Sequence, residues 1–480
     1  MEKQSDDDRV VSRRWYVRTA GATAIAGLAG CPADGNGTDT TPGDTPTGTE
    51  TRTPTETASA TPTQTPDGTA PLYEQASRID AADIGSEGLF GWSIAVSDDG
   101  STAVVSSVTN ADEPDDNASA VYVLSQSGGS WERQATLVRG EGSDSLVGVS
   151  VAISGDGTTA FVSVFEDLSG ESPEIIPFKI NVFEESGGSW SQQATLVPED
   201  FGWFGSALAA SADGTTVLVS NELGFDDPDG ERVEVSVFQQ SGGSWSQQAT
   251  LDPDDGVLKD SVVSVAISSD GTSAVVGVPV DSRVSAAEEG IAYVFAESSG
   301  AWRQQATLTG DEALDPAFGI SVDISGDGNT VLVSAPDPTG PMLANATAYV
   351  FTQSDDVWSQ AATLVPDEDS TGGFGWRVGL SDEGNTAIVL APAGAEGGSA
   401  AVFSQLDDAW ERSDTLVPDT RTEDQVFGYS TAIAGDGNTV LISALIQSED
   451  ERSQTGAVLY VYRRTRPLPP SPPPTGGDNL

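Results

Sequence analysis

The 480-residue chain predicts an all-β fold: a seven-bladed β-propeller of four-stranded antiparallel blades, its ring closed by an N-terminal strand in the last blade. Three observations predict it. A tight turn recurs with its glycine at Gly100, Gly157, Gly214, Gly271, Gly328, Gly384 and Gly437, at spacings of 57, 57, 57, 57, 56 and 53 residues. An aromatic residue precedes a tryptophan by the same interval in five units: Phe183/Trp190, Phe238/Trp245, Phe295/Trp302, Phe351/Trp358 and Phe403/Trp410. The seventh unit ends after Leu459-Tyr460-Val461-Tyr462 without the Trp-x-x-x-Ala-Thr-Leu strand of the others, and a segment of that form, Tyr73 to Ile79, stands ahead of the first unit.

In chain order, residues 1–30 read as an export signal. Arg13 and Arg14 lie in Ser12-Arg13-Arg14-Trp15-Tyr16-Val17, a twin-arginine motif in form, and the apolar stretch from Thr19 to Ala29 is too short to stay in a bilayer as a spanning helix. Leu28-Ala29-Gly30-Cys31 resembles a lipobox, which makes Cys31 the expected lipid acceptor. One lipid chain anchors only marginally, so a second chain or a further surface contact is expected. Twin-arginine signals are read by a receptor and serve proteins exported folded. Residues 31–70 are Thr, Pro, Gly, Asp and Ser with almost no large apolar side chain, an extended, disordered stalk open to O-glycosylation, and Asn36 lies in a sequon. Residues 71–466 hold the propeller, and residues 467–480 form a second disordered, Pro-rich end.

The fifth unit shows the blade. Phe318 to Ile324 alternates large and small residues, as a half-packed strand does, and Gly326-Asp327-Gly328-Asn329 is a hairpin turn. Thr330 to Ser334 is a continuous apolar strand, Thr347 to Phe351 a third, and Trp358 to Leu364 a fourth after a turn at Asp355-Asp356. In the closing blade Tyr73 takes the place of the Trp and Ile79 that of the Leu, which removes an exposed sheet edge.

The net charge of −53, with lysine only at Lys3, Lys179 and Lys259, is spread along the folded region. Self-repulsion on that scale destabilises a compact state in dilute buffer, and roughly molar salt, with a screening length of about 3 Å, relieves it. The chain therefore reads as one built for high salt, and nucleic acid and anionic membrane surfaces are poor partners for it. With no histidine, it excludes His-based acid–base catalysis, Ser-His-Asp triads and His-ligated metals. With Cys31 as its single cysteine, it excludes internal disulfides.

Two innermost-strand positions depart from the repeat. The alanine of Ala95, Ala152, Ala209, Ala266 and Ala432 becomes Asp323 in unit five. The serine of Ser93, Ser150, Ser264, Ser321 and Ser430 becomes Arg377 in unit six. Opposite charges in neighbouring blades predict a structural ion pair, Asp323–Arg377, near the central channel, since an unpaired charge there is costly. A charged-ligand site in the channel is the alternative.

The units resemble the FG-GAP repeat of secreted microbial proteins and, more remotely, of integrin α-chain propellers. Phe-Gly stands at Phe90-Gly91, Phe204-Gly205, Phe318-Gly319, Phe374-Gly375 and Phe427-Gly428, and the Gly-Ala-Pro element is nearest to form at Ser334-Ala335-Pro336 and Leu390-Ala391-Pro392. Val147-Gly148 and Ser261-Val262 depart from the pattern. The resemblance implies a seven-bladed propeller used for extracellular binding, and it raises calcium bound in the first hairpin. Here that hairpin offers one carboxylate where calcium takes six to eight oxygens, so no cofactor is assigned, and loose calcium elsewhere has no motif behind it.

An up-and-down path puts the short hairpins on one face and the second-to-third loops on the other. These long loops carry Asp112, Glu113, Asp115 and Asp116, then Asp226, Asp227, Asp229 and Glu231, then Asp281 to Glu289, with sequons at Asn117 and Asn345. Loops over a rigid scaffold are where binding residues gather, which makes this face the expected interaction surface. The function expected is a non-catalytic, lipid-anchored binding or adhesion module, monomeric, for an extracellular protein or glycan, meeting the membrane only through Cys31. The alternatives are a glycan-acting hydrolase or lyase and a structural envelope component. A sialidase-like arginine cluster is missing, since Arg377 is the one arginine placed on an innermost strand, and Ala103 stands where an Asp-box has an aromatic.

Overall fold

The structure, a computed structural model, describes residues 72–467 apart from 87, 109–118, 141–145, 166–177, 199–202, 224–231, 254–263, 280–288, 311–316, 337–345, 368–371, 394–396, 408, 422–424 and 448–453. Seven antiparallel sheets of four strands form the blades of a propeller. In blade one the strands are Leu89–Val96, Thr102–Val108, Ala120–Ser127 and Ser130–Arg139. Blade five has Val322–Ile324, Thr330–Ala335, Thr347–Ser354 and Val357–Leu364, and blade six Val378–Leu380, Thr386–Ala391, Ser399–Leu406 and Ala409–Leu416. Blade seven has Gln425–Ile433, Thr439–Gln447 and Gln454–Arg464, and its fourth strand is Tyr73–Asp80. Among the described residues the only helical piece is the 3-10 turn Ala81–Ile84.

The second strand of each blade is apolar on both faces because both faces are buried between neighbouring blades. Leu332 and Val333, adjacent in sequence, are both fully buried. Each core cluster accordingly spans two blades: Val275, Val294 and Leu308 of blade four meet Phe318, Val331, Val333, Tyr349 and Phe351. Outer strands alternate half-buried and exposed residues.

The closing strand copies the outer strands down to their irregularity. In blade five the register slips between Val350 and Phe351, leaving Ala361 without a partner; in blade seven Val461 pairs with Ser77 and Tyr462 with Gln75, leaving Ala76 in the same place. Tyr73 pairs with Arg464 as Trp358 pairs with Gln353. The strand is also tied to blade six. The buried Tyr73 N–H donates to Asp414 Oδ2 at 2.7 Å, and Arg464 Nη2 donates to Tyr73 Oη and to Thr386 Oγ1, both at 2.8 Å.

One expected boundary shifts. Regular pairing in blade five begins at Val322, not Phe318, because the chain turns there, with Ile320 N–H donating to Ala317 O at 3.2 Å; Gly319 sits at φ 89°. A Cβ on Gly319 would press on the Ile291 carbonyl and the Val278 nitrogen of blade four at 2.8 and 3.0 Å. The Phe-Gly pair thus has two jobs: the ring of Phe318 fills the inter-blade core, and the glycine lets the neighbouring backbone approach.

Candidate functional site

The innermost strands begin on the face that carries the second-to-third connections, since Leu89 pairs with Val108 and Ser107 with Ala120. They end on the opposite face, at the hairpins. Between these ends they line the axis of the ring and stitch it together. Ser93 Oγ accepts the Val151 N–H at 3.1 Å, Ser264 Oγ that of Val322 at 3.2 Å, and Ser321 Oγ that of Val378 at 3.2 Å, each reaching the next blade. The recurring serine of the innermost strand is therefore a seam residue.

The hairpin end is closed by backbone alone. Asp98 donates its N–H to Gly155 O, Gly155 to Ala212 O, Ala212 to Ser269 O, Ser269 to Gly326 O, Gly326 to Asp382 O, Asp382 to Gly435 O, and Asp436 to Asp98 O, all at 2.9–3.1 Å. The ring visits every blade once. The Asp98 and Asp382 carboxylates occupy the space that Gly155 and Gly435 leave, where a Cβ would meet them. Burial and the nearby Asp382 push Asp98 up to about 6. Burial also raises Asp382, against the Ser269 hydroxyl that donates to it at 3.1 Å. The hairpin carboxylates one residue on behave oppositely. Burial alone would raise Asp156, yet the Ser154 and Thr158 hydroxyls and the Thr158 N–H, at 2.7–2.9 Å, hold it below its ordinary value. Asp99, Asp213, Asp270 and Asp327 are held in the same way.

Asp323 and Arg377 do not form the expected ion pair. Asp323 Oδ1 accepts the Ile324 N–H at 2.9 Å and Oδ2 the Leu380 N–H of blade six at 2.7 Å, so its carboxylate is a second stitch across the seam that Ser321 already spans. Burial pushes it up to about 7, partly offset by those two donors, and Arg377 makes no contribution. The reason lies in direction: two adjacent N–H groups capture both oxygens at short range, while the Arg377 side chain folds back over its own neighbour. Its guanidinium carbon sits 5.3 Å from the centre of the Trp376 ring, and Nη1 donates to Trp376 O at 3.3 Å. Among the described residues no carboxylate pairs with Arg377. Burial draws its pKa down, and Tyr429 is the group that acts electrostatically upon it.

Arg377 lies against Trp376 and is acted on by Tyr429, whose ring in turn meets Trp92. Trp376, Tyr429 and Trp92 each follow the Phe-Gly pair, in blades six, seven and one, which are consecutive around the ring. Trp92 and Tyr429 lie with centroids 5.3 Å apart and planes tilted by 48°. The Trp376 Nε1 is buried without an acceptor among the described residues. The aromatic sector was legible in the sequence: aligned on Phe-Gly, the following position reads Trp92, Val149, Ser206, Val263, Ile320, Trp376 and Tyr429. Strand alternation, which sorts residues only into large and small faces, does not reveal the arc.

The other expected site residues, Arg13, Arg14, Cys31, Asn36, Asp112, Glu113, Asp115, Asp116, Asn117, Asp226, Asp227, Asp229, Glu231 and Asn345, lie outside the described residues.

No family model and no curated protein matches the chain. Among solved structures it is similar to a putative 6-phosphogluconolactonase from Bacteroides uniformis, at 13% identity and a TM-score of 0.45, over 69% of this chain and 86% of that one. It is similar to the periplasmic gluconolactonase of Pseudomonas aeruginosa at 15% identity and a TM-score of 0.44, over 71% and 92%. The C-terminal WD40 domain of Sif2 gives 11% and 0.47, over 82% and 99%. None of the three carries an argument about activity.

Proposed function

We propose that this is an exported, lipid-anchored surface protein of the FG-GAP type, whose propeller is a non-catalytic binding or adhesion module. The observation that carries the binding reading is a charged exception in the inner wall. Serines stitch the one–two, four–five and five–six seams, whereas blade six carries an arginine with no carboxylate partner among the described residues, against the Trp376 ring and next to the Tyr429–Trp92 pair. Such a sector can hold a ligand. It offers no acid–base pair, since both oxygens of the neighbouring Asp323 are engaged by backbone N–H groups. The twin-arginine motif, the lipobox at Cys31 and the Thr/Pro-rich stalk support export and anchoring, and the net charge of −53 supports work in molar salt. The acidic segments 109–118 and 224–231 lie outside the described residues, but the strands they connect end on the face where the innermost strands begin, which supports that face as the one presented to a partner.

The test is capture from envelope extract in molar salt. The bait is the exported chain, and the control has the acidic segments replaced by Gly-Ser. A protein or glycan retained by the first and lost by the second supports the module. Retention of nothing, with release of sugars from the extract, would replace it by the hydrolase or lyase.

A further inference from the structure

We infer that the channel sector between blades six, seven and one is a binding site for a carboxylate-bearing saccharide, gripped by the Arg377 guanidinium and seated against Trp376, Tyr429 and Trp92. The inference rests on the binding-module reading and names its ligand.

The anion follows from what Arg377 gives up. In blades one, four and five the same position is a serine that stitches to the next blade. At Arg377 that hydroxyl is gone, and a half-buried guanidinium stands there with one described side-chain hydrogen bond, to its neighbour's carbonyl. A guanidinium has five N–H donors, so most of its fork is open. A planar fork matches a carboxylate with two parallel hydrogen bonds. A residue that departs from the repeat and leaves most of its donors unused marks a candidate functional site.

The saccharide follows from the rings. The half-buried Trp376 and Trp92, the latter backed by the buried Tyr429, together with the Arg377 guanidinium on Trp376, make a sector that is mostly apolar with a few orienting polar atoms. A pyranose offers an apolar C–H face to such rings, and a sugar acid adds the carboxylate. The net charge of −53 disfavours a polyanion and leaves a singly charged ligand, screened by salt, as the better fit.

The experiment follows intrinsic tryptophan fluorescence of the exported chain in molar salt, titrated with glucuronate, galacturonate, glucose and sodium sulfate. The expected result is saturable change with a sugar acid, none with glucose, and at least a tenfold loss of affinity in Arg377→Ser. That variant restores the seam residue of the other blades, so its melting temperature should not fall. Arg377→Lys keeps a point charge without the fork and should also weaken binding. No saturation with either sugar acid, or equal affinity in Arg377→Ser or Arg377→Lys, overturns the site. Saturation by sulfate as strongly as by the sugar acids overturns the saccharide assignment. Envelope capture undiminished by Arg377→Ser would sink this inference while leaving the binding module standing.

Discussion

Two neighbouring seams of the ring are built differently. Between blades five and six the channel side is stitched twice, by Ser321 to Val378 and by Asp323 to Leu380. Between blades six and seven the equivalent serine is replaced by Arg377, and the seam is held from elsewhere by the closing strand. There the Tyr73 N–H reaches Asp414, and Arg464 bridges Tyr73 and Thr386. The difference teaches where a propeller can accommodate a site. At the six–seven seam, where Arg377 replaces the serine, the closing strand ties the same two blades.

The strongest way to break this comparison is to remove that other element. Deleting residues 71–80 should strip the six–seven seam and expose the edge of strand Gln454–Arg464, promoting aggregation that light scattering detects. A monomeric deletion of equal stability would refute the closure. Next in size is Asp414→Ala, which leaves the buried Tyr73 N–H without its acceptor and should cost about 1–3 kcal/mol in urea unfolding at molar salt. The same change would do little if the closing strand did not bear on the seam.

Smaller, and on the other seam, Asp323→Ala removes the acceptor of two N–H groups and should cost on the order of 1 kcal/mol. Asp323→Asn keeps an acceptor and removes the charge, so it isolates the pH effect. With folded-state values raised to about 7 for Asp323 and about 6 for Asp98, the folded chain holds these protons more tightly than the unfolded one. Their contribution therefore rises as pH falls from about 8 to the ordinary carboxylate value of 3.8. Below that value the trend reverses, because the lowered hairpin carboxyls such as Asp156 and Asp213 lose their hydrogen-bonded charged form. Melting temperatures across pH should show the rise in the wild type and a flatter slope in Asp323→Asn; identical slopes would remove Asp323 from the account. The smallest effect is on stability in Arg377→Ser, expected within about 0.5 kcal/mol of wild type or above it.

Much of this was legible in the residues. The Asp-Gly turns, the aromatic–Trp interval and the truncated seventh unit carried the blade number, and the Tyr73 to Ile79 segment carried the closure, because turns and period-two alternation are local. Asp323 and Arg377 were legible as exceptions but not in their roles. Opposite charges in adjacent blades suggested a pair, whereas the nearer Leu380 N–H took the carboxylate.

By itself, then, the sequence determined the repeat, the strand order, the buried faces and the residues that break the pattern. Each of these depends on neighbours a few positions apart. Only the tertiary structure decided the seven-membered backbone ring at the hairpin end, the seam function of the recurring serines, and the sector that joins Arg377 and Trp376 to Tyr429 and Trp92. Apart from the neighbouring Arg377 and Trp376, those contacts join groups on different blades, more than 50 residues apart in the chain.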